Sequence, residues 1–394
     1  MVTVTEAKRL IEENVRPLTG WSVSLSDAEG KILSEDLIAT ADFPPFPQSS
    51  MDGFAFAYAS NNNQSPLKLE GEIPAGIQNT DCVPDGTAIR IFTGAPVPPG
   101  ADTVLMQEKA IVRDGMLYVD DDRLQKGANV RLQGSEIQKG SIALKMGELL
   151  SPAAVGFIAG IGLATAPVIP HPAITILVTG NELQEPGKAL AYGQVYESNS
   201  VALMAALKLS HFSQCSTHRC PDNLDHISTT LAAALAASDV ILLTGGVSVG
   251  DYDFVVQAAA NCGVSKVFHK IKQRPGKPMY FGKKGTKLVF GLPGNPSSVL
   301  SCFYQYVLPA LGLLTARDLR LQVVSAPLKN RFIKNSALTF FLKGYYDGKA
   351  VTILDAQESY KLSSFARANC LVQIDEAAVE CAAGETVMVH LLPS

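Results

Sequence analysis

The spacing of apolar residues along the chain changes character several times, and each change predicts a different kind of element. Around residues 3–14, Ala7, Leu10, Ile11 and Val15 recur at the intervals of one helix face, with Thr3 or Thr5 placed to cap it. Residues 42–48, DFPPFPQ, hold three prolines, which fix φ and remove backbone donors, so an extended hinge is expected there. From 67 to 150 short apolar runs come every eight to twelve residues between Gly, Pro and Asp turns. They include AIRIF at 88–92, DTVLM at 102–106, AIVR at 110–113 and MLYVD at 116–120, and they predict an antiparallel β domain. An apolar helix is expected over 152–164, followed by a linker marked by Pro167, Pro170 and Pro172.

At Ala173 the pattern becomes AITILVT, the unbroken apolar run of a strand buried on both faces. Helical spacing follows at 198–209, then a strand near 211–217 and an alanine-rich helix at 222–237. A strand at 239–244, a helix at 251–262, a strand at 264–271, a short strand at 288–292 and a helix at 296–313 complete the series. Strands alternating with helices of this length predict a doubly wound parallel α/β domain, whose ligands sit outside the carboxyl ends of the strands. From about 319 the runs shorten again, with LQVVSA, LTFFLKGYY, AVTIL, CLVQID and TVMVHLL, which predicts a separate small β domain.

Composition narrows the partners. At 394 residues, 47% hydrophobic and 18% charged, the chain is globular and long enough for two to four domains. Lysine plus arginine total 33 against 37 acidic residues, a formal charge of −4. That balance gives no general attraction to nucleic acid or to an anionic membrane, so any anion site must be local. Seven scattered cysteines without a CxxC read as reduced, mostly buried thiols. No segment reaches about 18 uninterrupted apolar residues, and MVTVTEAKRLIEENV lacks the apolar core of a signal peptide, so a cytoplasmic location is expected.

The unusual residues of the α/β region cluster after its strands: Thr179-Gly180-Asn181-Glu182, Pro221-Asp222-Asn223, Thr244 to Asp253 (TGGVSVGDYD), and Pro293-Gly294-Asn295-Pro296-Ser297-Ser298. Glycines let a backbone approach a ligand closely, and a following helix N-terminus presents N–H groups to negative charge. A single such loop is ordinarily just a turn; several on one edge point to an anionic, phosphate-bearing ligand. In 270–277, KIKQRPGK, an extended backbone would put Lys270, Lys272 and Arg274 on one face, with Lys277 past a Pro-Gly turn. The plain alternative is an edge strand guarded by lysines. Asp52 follows the proline hinge, where a turn aspartate is the plain alternative. Glu182, Asp222 and Asp251 sit at strand–helix junctions, where an N-cap is the plain reading of each. A divalent cation bridging carboxylates and phosphates explains acid beside anion loops, and hard oxygen ligands favour Mg²⁺. The histidines show no metal spacing and no G-x-S-x-G elbow is present, so zinc and serine-hydrolase chemistry lack support.

Taken in order, SSMDGFAF, FTGAPVPPGADTV, VTGNEL, TGGVSVGDYDFV, RPGKPMYFG and LPGNPSSVL resemble the MoeA family of molybdopterin molybdenumtransferases, which includes the E domain of gephyrin and its plant counterparts. The resemblance runs over essentially the whole chain. It implies a multidomain, elongated homodimer: 1–45 with 146–172 as a discontinuous linker and dimerisation domain, 46–145 as an inserted β-rich domain, 173–317 as the α/β molybdopterin-binding domain, and 318–394 as a C-terminal β-barrel. The implied reaction inserts molybdenum from molybdate into adenylylated molybdopterin with Mg²⁺-assisted release of AMP. Transient contact with molybdopterin adenylyltransferase and other proteins of the cofactor pathway is also implied. Asp52, Glu182 and Asp222 are the implied catalytic residues, with Glu182, Asp222 and Asp251 holding Mg²⁺. Gly245, Gly246, Ser248, Asp251, Arg274, Lys277, Pro293, Asn295, Pro296 and Ser297 are the implied substrate contacts. Thr93, joining with Asp52 from the other subunit, and Lys343, Ser363 and Arg367 from the barrel complete that set.

The chain departs from the family at several positions. Asn181 stands for a usual Asp, Ser135-Glu136 for Glu-Asp, Arg274 for Lys, and Leu338 and Lys343 for arginines. Molybdopterin adenylyltransferases share the α/β domain but typically read Thr-Gly-Gly-Thr-Gly where this chain has Thr244-Gly245-Gly246-Val247-Ser248. A scaffold like gephyrin's clustering role is the non-enzymatic alternative. Tungstate, nearly the size and charge of molybdate, is not separated from it by the residues.

Overall fold

A computed structural model of the chain describes residues 1–77, 81–245 and 254–393. They form two compact units, Gly20–Val168 and Met1–Thr19 with Ile169–Ser394.

In the unit Gly20–Val168 the short apolar runs become a six-stranded sheet. Its order is Thr103–Met106, Gly53–Phe56, Thr87–Ile91, Leu67–Ile73, Met116–Val119, Ala110–Arg113. Its pairs are antiparallel with one exception: Leu67–Ile73 and Thr87–Ile91 run parallel, because the chain between them crosses back to the starting end instead of turning tightly. A second core gathers Leu33, Leu37, Leu150, Ile158 and Val168. The helix expected over 152–164 is Pro152–Gly160, with the Ser151 side chain accepting from Ala154 N and a proline in the first turn. The expected linker around Pro167 is instead a strand, Thr165–Ile169, paired antiparallel with Trp21–Ser24. Pro167 lacks a donor there but still offers its carbonyl, which accepts from Ser34 N.

The other unit is built on a six-stranded sheet in the order Cys215–Cys220, Ile174–Thr179, Val240–Thr244, Lys287–Leu292, Tyr280–Lys284, Ser265–His269. The first four strands are parallel, as the alternating pattern predicts. Tyr280–Lys284, which no pattern marked, runs antiparallel to both its neighbours. Alternate residues of the central strands feed two cores. Ile174, Ile176, Val178 and Leu242 meet Leu203, Leu207 and the helix Pro296–Leu314 on one face. Leu177, Ile241 and Leu243 meet Ile227, Leu231 and Val255 on the other. Val4, Ala7 and Ile11 of the first helix, Val4–Asn14, join the first of these cores, so by packing residues 1–19 side with the α/β unit. Its cap is Thr3, whose side chain accepts from Glu6 N. The strand expected at 211–217 begins later, at Cys215, because His211 adopts a left-handed φ of 66° and closes the preceding helix. Pro296–Leu314 is long and apolar enough to cross a membrane, but 83% of that stretch is buried in the fold, as a core helix requires.

The C-terminal strands follow the runs read from the sequence: Val323–Pro327, Thr339–Tyr346, Val351–Ile353, Cys370–Ile374 and Thr386–Leu391. Val351–Ile353 pairs with Thr339–Tyr346, and a bridge from Leu328 to Val351 returns the sheet on itself, closing a small barrel around Phe340, Leu342, Val372 and Val389. A short strand from the α/β region, Gln273–Arg274, adds to this sheet parallel to Thr339–Phe340. That graft brings barrel and parallel sheet together at one cleft.

Candidate active site at the strand ends

Because the four parallel strands share a direction, their following loops meet at one edge, where they surround a cleft of about 1100 Å³. Thr179, Gly180, Glu182, Asp222, Gly245, Pro293, Gly294, Asn295, Pro296 and Ser298 line it. Gly245 is obligatory: its φ is +85°, and a Cβ there would stand 2.3 Å from the Thr179 carbonyl oxygen. Gly246, Ser248 and Asp251, the remainder of that loop's expected contacts, lie outside the described residues.

The loop 293–298 behaves differently from the expectation of free helix N–H groups. Pro296 has no N–H, Ser297 N donates to the Ser359 carbonyl (3.1 Å), and Ser298 N donates to Asn295 O (3.0 Å). Ser297 is fully buried and does not line the cleft, so its assignment as a substrate contact is not upheld. Anion binding here must draw on other groups. Lys277 is exposed with no ion-pair partner among the described residues. Arg274 lines the cleft with its guanidinium 5.4 Å from the Phe340 ring centre and Nη1 donating to Asn335 Oδ1. The shared face expected for Lys270, Lys272 and Arg274 does not form. Lys270 has a φ of +69°, which breaks the alternation, and Lys272 is paired with Glu376 at 3.0 Å.

The carboxylates are the distinctive part. Asn223, not Asp222, caps the helix Leu224–Ala237, accepting from Asp225 N and His226 N. Asp222 is thereby left free of a capping role. Its backbone N–H donates to Asn181 Oδ1 (3.2 Å), while its own Oδ1 is buried without a hydrogen-bond partner. Burial, and then the charge of Glu182, push the Asp222 carboxyl above the usual carboxylate range. Asn199 Oδ1 and Thr244 Oγ1 are orphaned in the same way. Buried polar atoms ordinarily find partners, so a concentration of orphans beside one cleft marks a place where a ligand or ordered water could supply them. Among the described residues no group of three or more His, Cys, Asp or Glu side chains could hold a metal. Glu182 and Asp222 remain as a pair of hard oxygen donors.

Glu197 and Asn199 were not anticipated. Glu197 is buried and accepts from Ser200 N (2.8 Å) and Ser200 Oγ (2.6 Å), and Asn199 Nδ2 holds the Gly294 carbonyl (2.8 Å). The signal available was another polar cluster, Glu197-Ser198-Asn199, opening a helix.

The barrel supplies a wall of Leu338, Gln357, Glu358, Ser359 and Tyr360. Lys343 does not take part as expected: it is 2% exposed, and its ammonium donates to the carbonyls of Ala356 (2.7 Å), Lys361 (3.1 Å) and Glu358 (3.3 Å). A buried ammonium needs such partners, and these leave it none for a ligand. Ser363 and Arg367 are exposed and lie outside the cleft lining.

In the unit Gly20–Val168, Asp52 and Thr93 do meet. Asp52 Oδ1 accepts from Thr93 N (2.7 Å) and Thr93 Oγ1 (2.8 Å). These bonds, with the charge of Arg90 behind them, hold the Asp52 carboxyl below the usual range although it is exposed. Arg90 was not anticipated either: its guanidinium lies 4.9 Å and 5.3 Å from the ring centres of Phe54 and Phe92 and donates to Gln107 (2.6 Å). Gly53 allows the strand pairing beside Asp52, since a Cβ would fall 1.8 Å from the Leu105 carbonyl oxygen.

Three family models cover nearly all of the chain: the MoeA N-terminal region, domains I and II, over residues 2–162; a probable molybdopterin binding domain over 175–312; and the MoeA C-terminal region, domain IV, over 325–392. The chain is 31% identical to a molybdopterin molybdenumtransferase of Haemophilus influenzae over the full length of both. It is 32% identical to molybdopterin molybdenumtransferase 2 of Mycobacterium tuberculosis, covering 99% of each. Its fold is similar to the crystal structure of the molybdopterin biosynthesis MoeA protein of Pyrococcus horikoshii, with a TM-score of 0.84, 27% identity and 99% of both chains covered.

Proposed function

This chain belongs to the MoeA family, and from that premise we propose that it is a molybdopterin molybdenumtransferase acting at the strand-end cleft on adenylylated molybdopterin and molybdate. In this reading two dithiolene thiols bond molybdenum as two molybdate oxygens leave as water, and one water adds across the phosphate anhydride, giving AMP and the phosphate monoester. The observation that carries it is the Asp222 carboxylate, raised in pKa, beside a second carboxylate, and with one buried oxygen that has no partner among the described residues, at an edge that also holds Lys277, unpaired among those same residues.

That donor set fits Mg²⁺: two hard oxygen ligands whose mutual repulsion and burial a divalent cation relieves. Glu182 and Asp222 would hold it, and when bound it would neutralise charge on the phosphates. The protein's own groups do the rest. Lys277 and Arg274 bind anionic oxygens, and the glycine loop lets the ligand approach the backbone. Asp52, kept ionised by Thr93, orients or deprotonates a group at the metal-insertion step. The same reading makes the working unit a homodimer in which one copy's Asp52 serves the other copy's cleft.

The test is incubation of the purified protein with adenylylated molybdopterin, Mg²⁺ and either molybdate or tungstate, following AMP and metal-loaded cofactor. AMP release that depends on Mg²⁺ and oxyanion is the expected result, and the two oxyanions report metal choice. A folded protein that releases no AMP with either oxyanion ends the transferase reading. Mixing inactive Asp52→Ala and Asp222→Ala chains tests the shared site: activity returns in the mixture only if two copies build one centre.

A further inference from the structure

The loop that gives the barrel's wall to the cleft is tied down more firmly than an ordinary surface loop. Besides the three carbonyls held by Lys343, Gln357 accepts from Lys343 N and donates to the carbonyls of Lys343 and Leu354. Ser364 Oγ donates to Ala356 O, and Ala356 holds a φ of 59°, a conformation that non-glycine residues rarely adopt. On the cleft side, Asn295 Nδ2 donates to Ser359 Oγ (2.8 Å) and Ser297 N to Ser359 O (3.1 Å). From this fixed loop stands Tyr360, 62% exposed and lining the cleft, with the Lys361 ammonium 5.8 Å from its ring centre. A second tyrosine of the same lining, Tyr196, is 47% exposed, its hydroxyl donating to the Lys188 carbonyl. Both rings are thus partly open to a cleft that also carries Lys277, Arg274, Glu182 and Asp222. An exposed aromatic ring carried on an anchored loop beside cations suits a ligand that carries both a planar ring and a phosphate.

Resting on the transferase reading above, we propose that Tyr360 and Tyr196 are ring-binding walls of the cleft, stacking on the planar nitrogen heterocycle of a phosphate ester whose anionic end lies toward Lys277. A pterin and an adenine share the required chemistry.

Equilibrium binding of AMP, 6-hydroxymethylpterin phosphate and ribose 5-phosphate to wild type, Tyr360→Ala, Tyr360→Phe and Tyr196→Ala separates the cases. The expected result is that each alanine variant weakens a ring-bearing probe by about tenfold or more, leaving ribose 5-phosphate nearly unchanged, and that Tyr360→Phe retains wild-type affinity. Loss confined to AMP assigns the wall to adenine, loss confined to the pterin probe assigns it to the pterin, and loss of both assigns the shared chemistry. Equal loss across all three probes, or no loss on any, overturns the proposal. A wild type that binds ribose 5-phosphate as tightly as the ring-bearing probes removes the ring walls but leaves the anion cleft standing. A wild type that binds none of the three removes the anion cleft as well.

Discussion

Two aspartates in this protein sit in opposite surroundings. Asp52 is exposed, yet two hydrogen bonds from Thr93 hold it ionised. Asp222 is partly buried, beside Glu182, with an oxygen that no group among the described residues satisfies and a carboxyl that is harder to ionise. The first carboxylate has its hydrogen bonds within its own unit, whereas the second keeps an unmet acceptor that, on the proposed reading, a cation would meet. Groups whose environments push their pKa values apart are suited to different tasks: Asp52 to holding or taking a proton, Asp222 to binding a positive charge.

The comparison breaks most visibly in the rate. Asp222→Asn is expected to lower AMP release by on the order of 10²–10³-fold, and added Mg²⁺ to recover part of that loss. Asp52→Asn is expected to lower it by roughly 10²-fold with no recovery at any Mg²⁺ concentration. Equal Mg²⁺ responses from the two variants would erase the distinction.

The pH profiles sharpen it. Activity that needs ionised Asp52 is lost as pH falls through a lowered value, so Thr93→Val, which removes one of the two bonds, moves that limb to higher pH. In the metal-free protein Asp222 titrates above the usual carboxylate range, so Glu182→Gln, which removes a neighbouring negative charge, moves that titration to lower pH. Initial rates across the acid range for Thr93→Val, and carboxyl titration of the metal-free protein for Glu182→Gln, show whether the shifts have opposite signs.

Stability of the ligand-free protein follows the same signs more weakly. A raised folded pKa means that Asp222 costs stability once pH exceeds its unfolded value, so Asp222→Asn raises Tm at neutral pH by about 1–3 °C. Asp52 contributes stability above its unfolded pKa and loses it as pH falls through the lowered folded one, so Asp52→Asn lowers Tm at neutral pH. Calorimetry at pH 7 reads both. The smallest effect belongs to Arg90→Gln, which moves the Asp52 limb upward by less than Thr93→Val, because charge across solvent is screened where hydrogen bonds are not.

Much of the molecule was legible before its structure. The unbroken run AITILVT could only be a central strand, and all six residues of Ile174–Thr179 are buried. The strand-end loops carrying Glu182, Asp222 and Gly245 meet at one edge because parallel strands leave no other choice. Tyr280–Lys284 escaped notice because it lies between Arg274-Pro275-Gly276 and Lys284-Gly285, where turn residues crowd a short apolar run. Lys343 was misjudged for a different reason. Six consecutive residues of Thr339–Tyr346 are buried, so alternation gives no facing, and the carbonyls that hold its ammonium lie 13 to 18 residues further on. The free oxygen of Asp222 was equally hidden, since its neighbour Asn223 takes the cap that either residue could have made.

Lys343 also determines what ionic strength can and cannot do to this cleft. A cation bound from solution would be diluted away or exchanged, whereas this one is covalently part of the strand and sits among its carbonyls at a fixed local concentration. Salt at physiological strength screens charges over about 8 Å of solvent but has little access to a buried ammonium. Rising salt therefore loosens the grip of exposed Lys277 and Arg274 on an anion while the wall bearing Tyr360 stays where it is. On the proposed reading, salt weakens the hold on a charged ligand without altering the wall that would receive it.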